Sequence, residues 1–218
     1  MNSQTRREVR SGLIALPLSA LLFALGIVLR GSAGDLTDPV AYVLRAATSP
    51  YYVPGWTIIL VGFVLQLYGA FGLYRYLTYQ AENGIALLAF VLRIVGIAFG
   101  LPLVAFLTVN GPAIADLHQQ GIQEVITVAE ATFTSAFGLA LFGIASGAAS
   151  IGWILFAIAI WRDGRLPKWT VVLLVLAEAL LAFPVTLASE LLGALLLLIS
   201  TGMIAWRGWQ ESAARVGQ

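Results

Sequence analysis

The sequence predicts an all-α fold, a polytopic transmembrane bundle of six helices with a short interfacial helix on its outer surface. Three observations carry that prediction. Six apolar stretches are long enough to cross a hydrocarbon core about 30 Å thick, which takes roughly 20 helical residues. Only 11% of the 218 residues are charged and 60% are hydrophobic, whereas a soluble domain carries about a quarter charged residues. The basic residues also crowd into segments that would share one side of a membrane. With a mean hydropathy of +0.91, the chain has too little polar surface to be dissolved by water. The lipid bilayer is its expected solvent, and residues 1–218 read as a single transmembrane domain.

Taken in order, the spans are about 11–30, 55–75, 85–107, 135–161, 169–187 and 188–206. The first follows Arg6-Arg7, as a secretory signal would. Its charge-free core from Ser11 to Leu29 exceeds the roughly 7–15 apolar residues of a signal peptide, so it reads as a retained span. The last two share one apolar run, Trp169 to Trp206, broken near Phe183-Pro184 by a tight outer hairpin. Between the first two spans, Asp38-Pro39 combines an N-cap acceptor with a first-turn proline, and residues 39–47 are expected to form the short outer helix. Residues 108–134 are expected to be an outer loop segment with Asp116, His118, Glu124 and Glu130. No internal repeat relates the two halves, so the inverted-repeat pattern of many transporters is not evident.

Orientation follows from the excess of lysine and arginine on cytoplasmic loops. With the N-terminus inside, the inner segments hold nine basic residues, Arg6, Arg7, Arg10, Arg75, Arg162, Arg165, Lys168, Arg207 and Arg215. The outer ones hold only Arg30 and Arg45. Both termini are therefore expected in the cytoplasm, and the bacterial inner membrane is the expected location. Tyr51, Tyr52 and Trp56 mark one interface; Tyr74, Tyr76, Trp161, Trp169, Trp206 and Trp209 mark the other.

One basic residue falls within a span. In LLAFVLRIVGIAFG, residues 87–100, Arg93 stands alone among apolar neighbours. A charge at membrane depth is costly unless it faces the bundle interior and finds a partner. Ala89, Arg93, Gly96 and Gly100 recur at helical spacing, and the last two form a GxxxG that permits close backbone approach. Counted from the inner edge, Arg93 lies nine residues in, about 14 Å at the helical rise. Gln66 lies nine residues from Arg75, and Glu178 ten from Lys168. Ser19, Ser150 and Ser200 fall near the same level. The candidate intramembrane polar site is Arg93, Glu178 and Gln66, with a direct Arg93–Glu178 ion pair expected, since a guanidinium fork matches a carboxylate. It reads first as a structural tie between helices, and second as the lining of a solute or proton path.

Other chemistry finds few tools. Cysteine is absent, and His118 is the single histidine. That leaves no thiol nucleophile or thiolate metal site. Ser146 in ASG suggests an intramembrane serine protease, but no span supplies a histidine base. Lys168 is too near the interface to carry a retinal. Asp35, Asp38, Asp116, His118, Glu124, Glu130 and Glu190 read as solvated outer groups, with Glu190 favoured at the N-terminus of the sixth span by the helix dipole. No catalytic residue, cofactor or metal is expected. A net charge of +1 gives no sign of nucleic-acid binding. Gly138, Gly143, Gly147 and Gly152 suggest that the fourth span is a central, close-packed helix.

Three stretches, GIALLAFVLRIVGIAFG (84–100), WRDGRLPKWTVVLLVLAEALLAFP (161–184) and SELLGALLLLISTGMIAW (189–206), resemble a group of bacterial six-span membrane proteins classed as a domain of unknown function. The matching features are Arg93 after an ALLA run, Leu166 to Trp169 before the fifth span, and Glu190 opening the sixth. The resemblance covers about half the chain and implies a bacterial inner-membrane protein. The expected class is a non-catalytic scaffold, accessory subunit or sensor, with a membrane-protein partner or a homo-oligomer. The alternative is a small-solute or proton carrier or channel using the Arg–Glu layer.

Overall fold

The computed structural model describes residues 3–31, 44, 47–79, 82–182 and 186–214. Among these there are seven helices and no strands: α1 (Ser3–Arg30), α2 (Tyr52–Thr78), α3 (Gly84–Gln119), α4 (Glu124–Thr134), α5 (Ala136–Asp163), α6 (Lys168–Ala182) and α7 (Leu187–Ala214). Five of them, α1, α2, α3, α5 and α7, are long and apolar enough to cross a membrane. The short outer helix expected over 39–47 lies almost wholly outside the described residues.

Local signals account for the boundaries. Asn83 caps α3 by accepting from the Ala86 amide at 3.1 Å, and Ser135 caps α5 by accepting from Gly138 at 3.0 Å. Such caps satisfy amides that have no partner within the helix. Thr186 and Ser189 exchange side-chain-to-amide bonds of 3.0 and 3.1 Å at the start of α7, a capping box with serine in the glutamate's place. Gly164 ends α5 at φ 72°, the left-handed conformation in which glycine closes helices at little cost. Its amide donates to Ile160 at 3.2 Å. α6 ends at Ala182 and α7 begins at Leu187; the hairpin expected near Phe183-Pro184 lies outside the described residues.

Packing follows sequence order. α1 packs on α2, α2 on α3, α3 on α5, α5 on α6 and α6 on α7, and α7 closes the ring against α1. The α1–α2 seam is the tightest. A Cβ at Gly12 would sit 2.6 Å from the Gly72 Cα, so the two backbones touch as small residues allow. Gly55, Gly62 and Gly69 extend that seam at seven-residue intervals against α1. The outward faces are apolar, as Leu18, Leu21, Leu25 and Val28 on α1 show. The start of α1 and the end of α7 share one end of the bundle, with the Arg10 guanidinium 4.6 Å above the Trp209 ring.

Two expectations need correction. Residues 108–134 are not a loop. α3 runs unbroken for 36 residues, roughly 54 Å at the helical rise, and after a turn at Gly121 (φ 89°) the chain returns as α4. Val104, Thr108, Gly111, Ile114 and Ala115 are buried along one helical face, and Tyr52 of α2 supports it by donating to the Leu107 carbonyl at 3.2 Å. That packing outweighs the polar residues on the opposite face. The second correction concerns α5, which is not close-packed throughout. A Cβ at Gly143 or Gly147 would meet nothing within 4 Å, and Phe137 is 77% exposed. Its tight contacts with α3, at Ala149 and Gly152, lie from mid-helix toward Asp163.

Candidate functional site

The face of α3 that carries Arg93 turns inward, as its small neighbours require. Ala89, Arg93 and Gly96 are buried. A Cβ at Gly96 would lie 2.6 Å from the Ala149 amide nitrogen, and one at Gly100 would reach the Ala145 Cβ at 3.9 Å. The GxxxG therefore brings α3 onto α5. On α5, Gly152 makes room for the arginine stem, with a Cβ there only 2.9 Å from the Arg93 Cδ.

The guanidinium then meets three groups. Nη2 donates to the Gln66 side-chain oxygen of α2 in a short hydrogen bond. Nη1 donates to the Ala149 carbonyl at 3.0 Å. Its carbon lies 4.9 Å above the ring of Trp153, where the aromatic face attracts a cation. Arg93 is 2% exposed, Gln66 4% and Trp153 1%. All three partners are neutral.

Glu178 is brought to the same neighbourhood without joining Arg93. No salt bridge links the two, so the direct ion pair expected from the sequence is corrected to an indirect arrangement. Glu178 is half-buried and accepts from the Ser150 hydroxyl at 3.0 Å. Ser150 follows Ala149, so neighbouring residues of α5 engage the two groups. The Arg93 fork is taken instead by Gln66 of α2 and the Ala149 carbonyl, with the Trp153 ring beneath it. Ser19 and Ser200 share the level but not the network. They donate to Leu16 at 2.7 Å and Leu197 at 3.0 Å within their own helices.

Two further polar clusters escaped the sequence reading. At the end of the bundle remote from the termini, Arg30 and Glu190 form a buried ion pair that closes α1 against α7. The Arg30 guanidinium lies 4.7 Å above Trp56 of α2. The sequence reading placed both charges at the solvated outer surface. The signal it overlooked is that Arg30, Trp56 and Glu190 all terminate or open a helix at one level. At the opposite end, Arg165 donates to Asp163 at 2.6 Å and to the Tyr76 carbonyl at 3.0 Å, and faces Glu211 at 3.7 Å. Tyr76 donates to Glu211 at 3.0 Å, so this residue pins the ends of α2, α5 and α7 together.

Asp116, Glu124 and Glu130 are exposed. No group of three His, Asp or Glu gathers at metal-binding distance among the described residues. The Arg93 layer thus offers hydrogen-bond donors, aromatic surface and one carboxylate, which is engaged by the Ser150 hydroxyl. No family model, curated protein or solved structure matches the chain.

Proposed function

We propose that the chain is a six-span, non-catalytic protein of the bacterial inner membrane, serving as a scaffold, accessory subunit or sensor. The observation that carries this reading is the packing around Arg93. A buried guanidinium held by Gln66, a backbone carbonyl and Trp153 ties α2, α3 and α5 together. A carried ion or solute would need that space. α6 is the sixth crossing. Its 15 described residues reach about 22 Å, and its antiparallel packing on α7, where Gly193 sits against Ala177 and Leu180, supports a short traverse. The kinship with the six-span group quoted above rests on the residues from Gly84 to Gly100 and from Trp161 to Trp206.

An even number of crossings puts both termini on one side, and the basic residues place that side in the cytoplasm. The chain has no cysteine, so single introduced cysteines label against no background. Gln120→Cys, near the tip of α3, should react in intact cells with an impermeant thiol reagent. Gln210→Cys should react only after lysis. Labelling in the reverse pattern overturns the orientation, and labelling of both in intact cells overturns the even count.

A second reading, a small-solute or proton carrier, draws on Glu178, a half-buried carboxylate at membrane depth next to the arginine layer. Proteoliposomes distinguish the two. A proton or solute flux abolished by Glu178→Gln supports the carrier; its absence in wild-type vesicles supports the scaffold.

A further inference from the structure

A cavity of about 220 Å³ opens at the end of the bundle that holds both termini, lined by Thr5 of α1, Arg75 and Thr78 of α2, and Tyr79. It lies where the first turns of α1 meet the last turn of α2, at the level marked by Tyr74, Tyr76 and Tyr79. The surrounding charge is mainly cationic. Arg6, Arg7 and Arg10 follow Thr5 on α1, and Glu8 is the one carboxylate among them. Glu8 approaches Arg75 only to 3.7 Å and is held on its other oxygen by Gln4 at 3.2 Å. The Nε groups of Arg6 and Arg75 are both buried from solvent and have no hydrogen-bond partner.

We propose that this cavity binds the phosphate of an anionic headgroup, with Arg75 as the principal ligand. The Arg75 side chain is 39% exposed and its terminal fork is only loosely held by Glu8, so the guanidinium presents the planar donor set that takes phosphate oxygens two at a time. Basic pockets between transmembrane helices at one interface are the recognised setting for anionic lipid headgroups. Thr78 serves as polar wall and not as donor, since its hydroxyl donates to the Tyr74 carbonyl at 2.8 Å. Glu8 competes with the phosphate for Arg75, so binding an anion and releasing Glu8 are one event. The site is far from the Arg93 layer and stands whether that layer is structural or conducting.

The test uses the full chain in detergent, with bound lipid counted by native mass spectrometry. Phosphatidylglycerol should bind wild-type protein more tightly than phosphatidylcholine. A basic residue near an anionic surface contributes enough for a several-fold change, so Arg75→Gln should weaken phosphatidylglycerol binding about fivefold. Glu8→Gln should strengthen it, because the competing carboxylate is gone. A purely structural Arg75–Glu8 pair predicts no such opposite signs. Inorganic phosphate is the second probe. Displacement of phosphatidylglycerol by millimolar phosphate would show that the phosphate group alone is recognised. Resistance to phosphate, with dependence on Arg75 retained, would assign the site to lipid. The proposal is overturned if Arg75→Gln leaves phosphatidylglycerol binding unchanged, if Glu8→Gln weakens it, or if phosphatidylcholine responds equally to both. Should Arg75→Gln fail to fold, the sign of the Glu8→Gln effect decides alone.

Discussion

Among the described residues two arginines lie buried, Arg30 and Arg93, and they are satisfied in different ways. Arg30, at the end of α1, meets the Glu190 carboxylate directly and stacks over Trp56. Arg93, in the middle of α3, also stacks over a tryptophan, Trp153, but its hydrogen bonds go to an amide side chain and a backbone carbonyl. Glu178 makes no salt bridge with Arg93 and accepts instead from Ser150. An aromatic face with several weak acceptors thus takes the place of a counter-ion where helix packing keeps the carboxylate away. Removing Glu190 strands a full charge at the first site, whereas removing Gln66 leaves the Arg93 guanidinium one hydrogen bond short but still held by the Ala149 carbonyl and Trp153.

The sharpest test of this contrast is Glu190→Ala. Breaking a buried ion pair at one end costs about 3–5 kcal/mol, while replacing both partners with apolar groups can be nearly neutral. Denaturation in detergent should show that loss, and Arg30→Leu combined with Glu190→Leu should restore most of it. Gln66→Leu should cost less, about 1.5–3 kcal/mol, the usual range for a hydrogen bond to a charged group. Arg93→Leu should fall in a similar range, with the Gln66→Leu/Arg93→Leu pair less than additive. The close contact that seats Arg93 is probed by Gly96→Ala, where the new methyl meets Ala149 backbone. Overpacking of this kind costs about 1–3 kcal/mol, whereas Gly147→Ala, with nothing within 4 Å, should stay within about 0.5 kcal/mol. Glu178→Gln should also be small, below about 1 kcal/mol, since the amide oxygen still accepts from Ser150. A loss as large as that of Glu190→Ala would break the contrast and make Glu178 the true counter-ion of Arg93.

Much of the bundle could be read from the residues alone, and the reasons are specific. Apolar length located α1, α2, α5 and α7, because hydrocarbon thickness leaves little freedom in where a span can lie. The four- and three-residue steps through Ala89, Arg93, Gly96 and Gly100 identified the inward face of α3, since helical spacing needs no knowledge of neighbours. Counting depth from the basic edge set Gln66, Arg93, Ser150 and Glu178 at one level, and the structure joins Arg93 to Gln66 and Ser150 to Glu178. Depth carries no azimuth, however. Whether two residues at one level point at each other depends on how α5 and α6 rotate, which is why the direct Arg93–Glu178 pair was expected and is not formed. The same blindness hid Arg30–Glu190, whose members were each explained locally as a loop charge and a helix-dipole partner. Past Leu107, polarity suggested a loop, although the spacing of Thr108, Gly111, Ile114 and Ala115 already carried the helical period.

The length of α3 gives it the mechanics of a lever. Its firmest bearing is at Gly96, against the Ala149 backbone, with 12 residues on the Gly84 side and 23 toward Gln119. At a rise of about 1.5 Å per residue the arms are roughly 18 and 35 Å. A rocking motion about that fulcrum sweeps the far tip about twice as far as the near one. Conversely, a modest force at the tip arrives as torque at Arg93, while Pro102 and Pro112, both in the long arm, set how much of it is lost to bending.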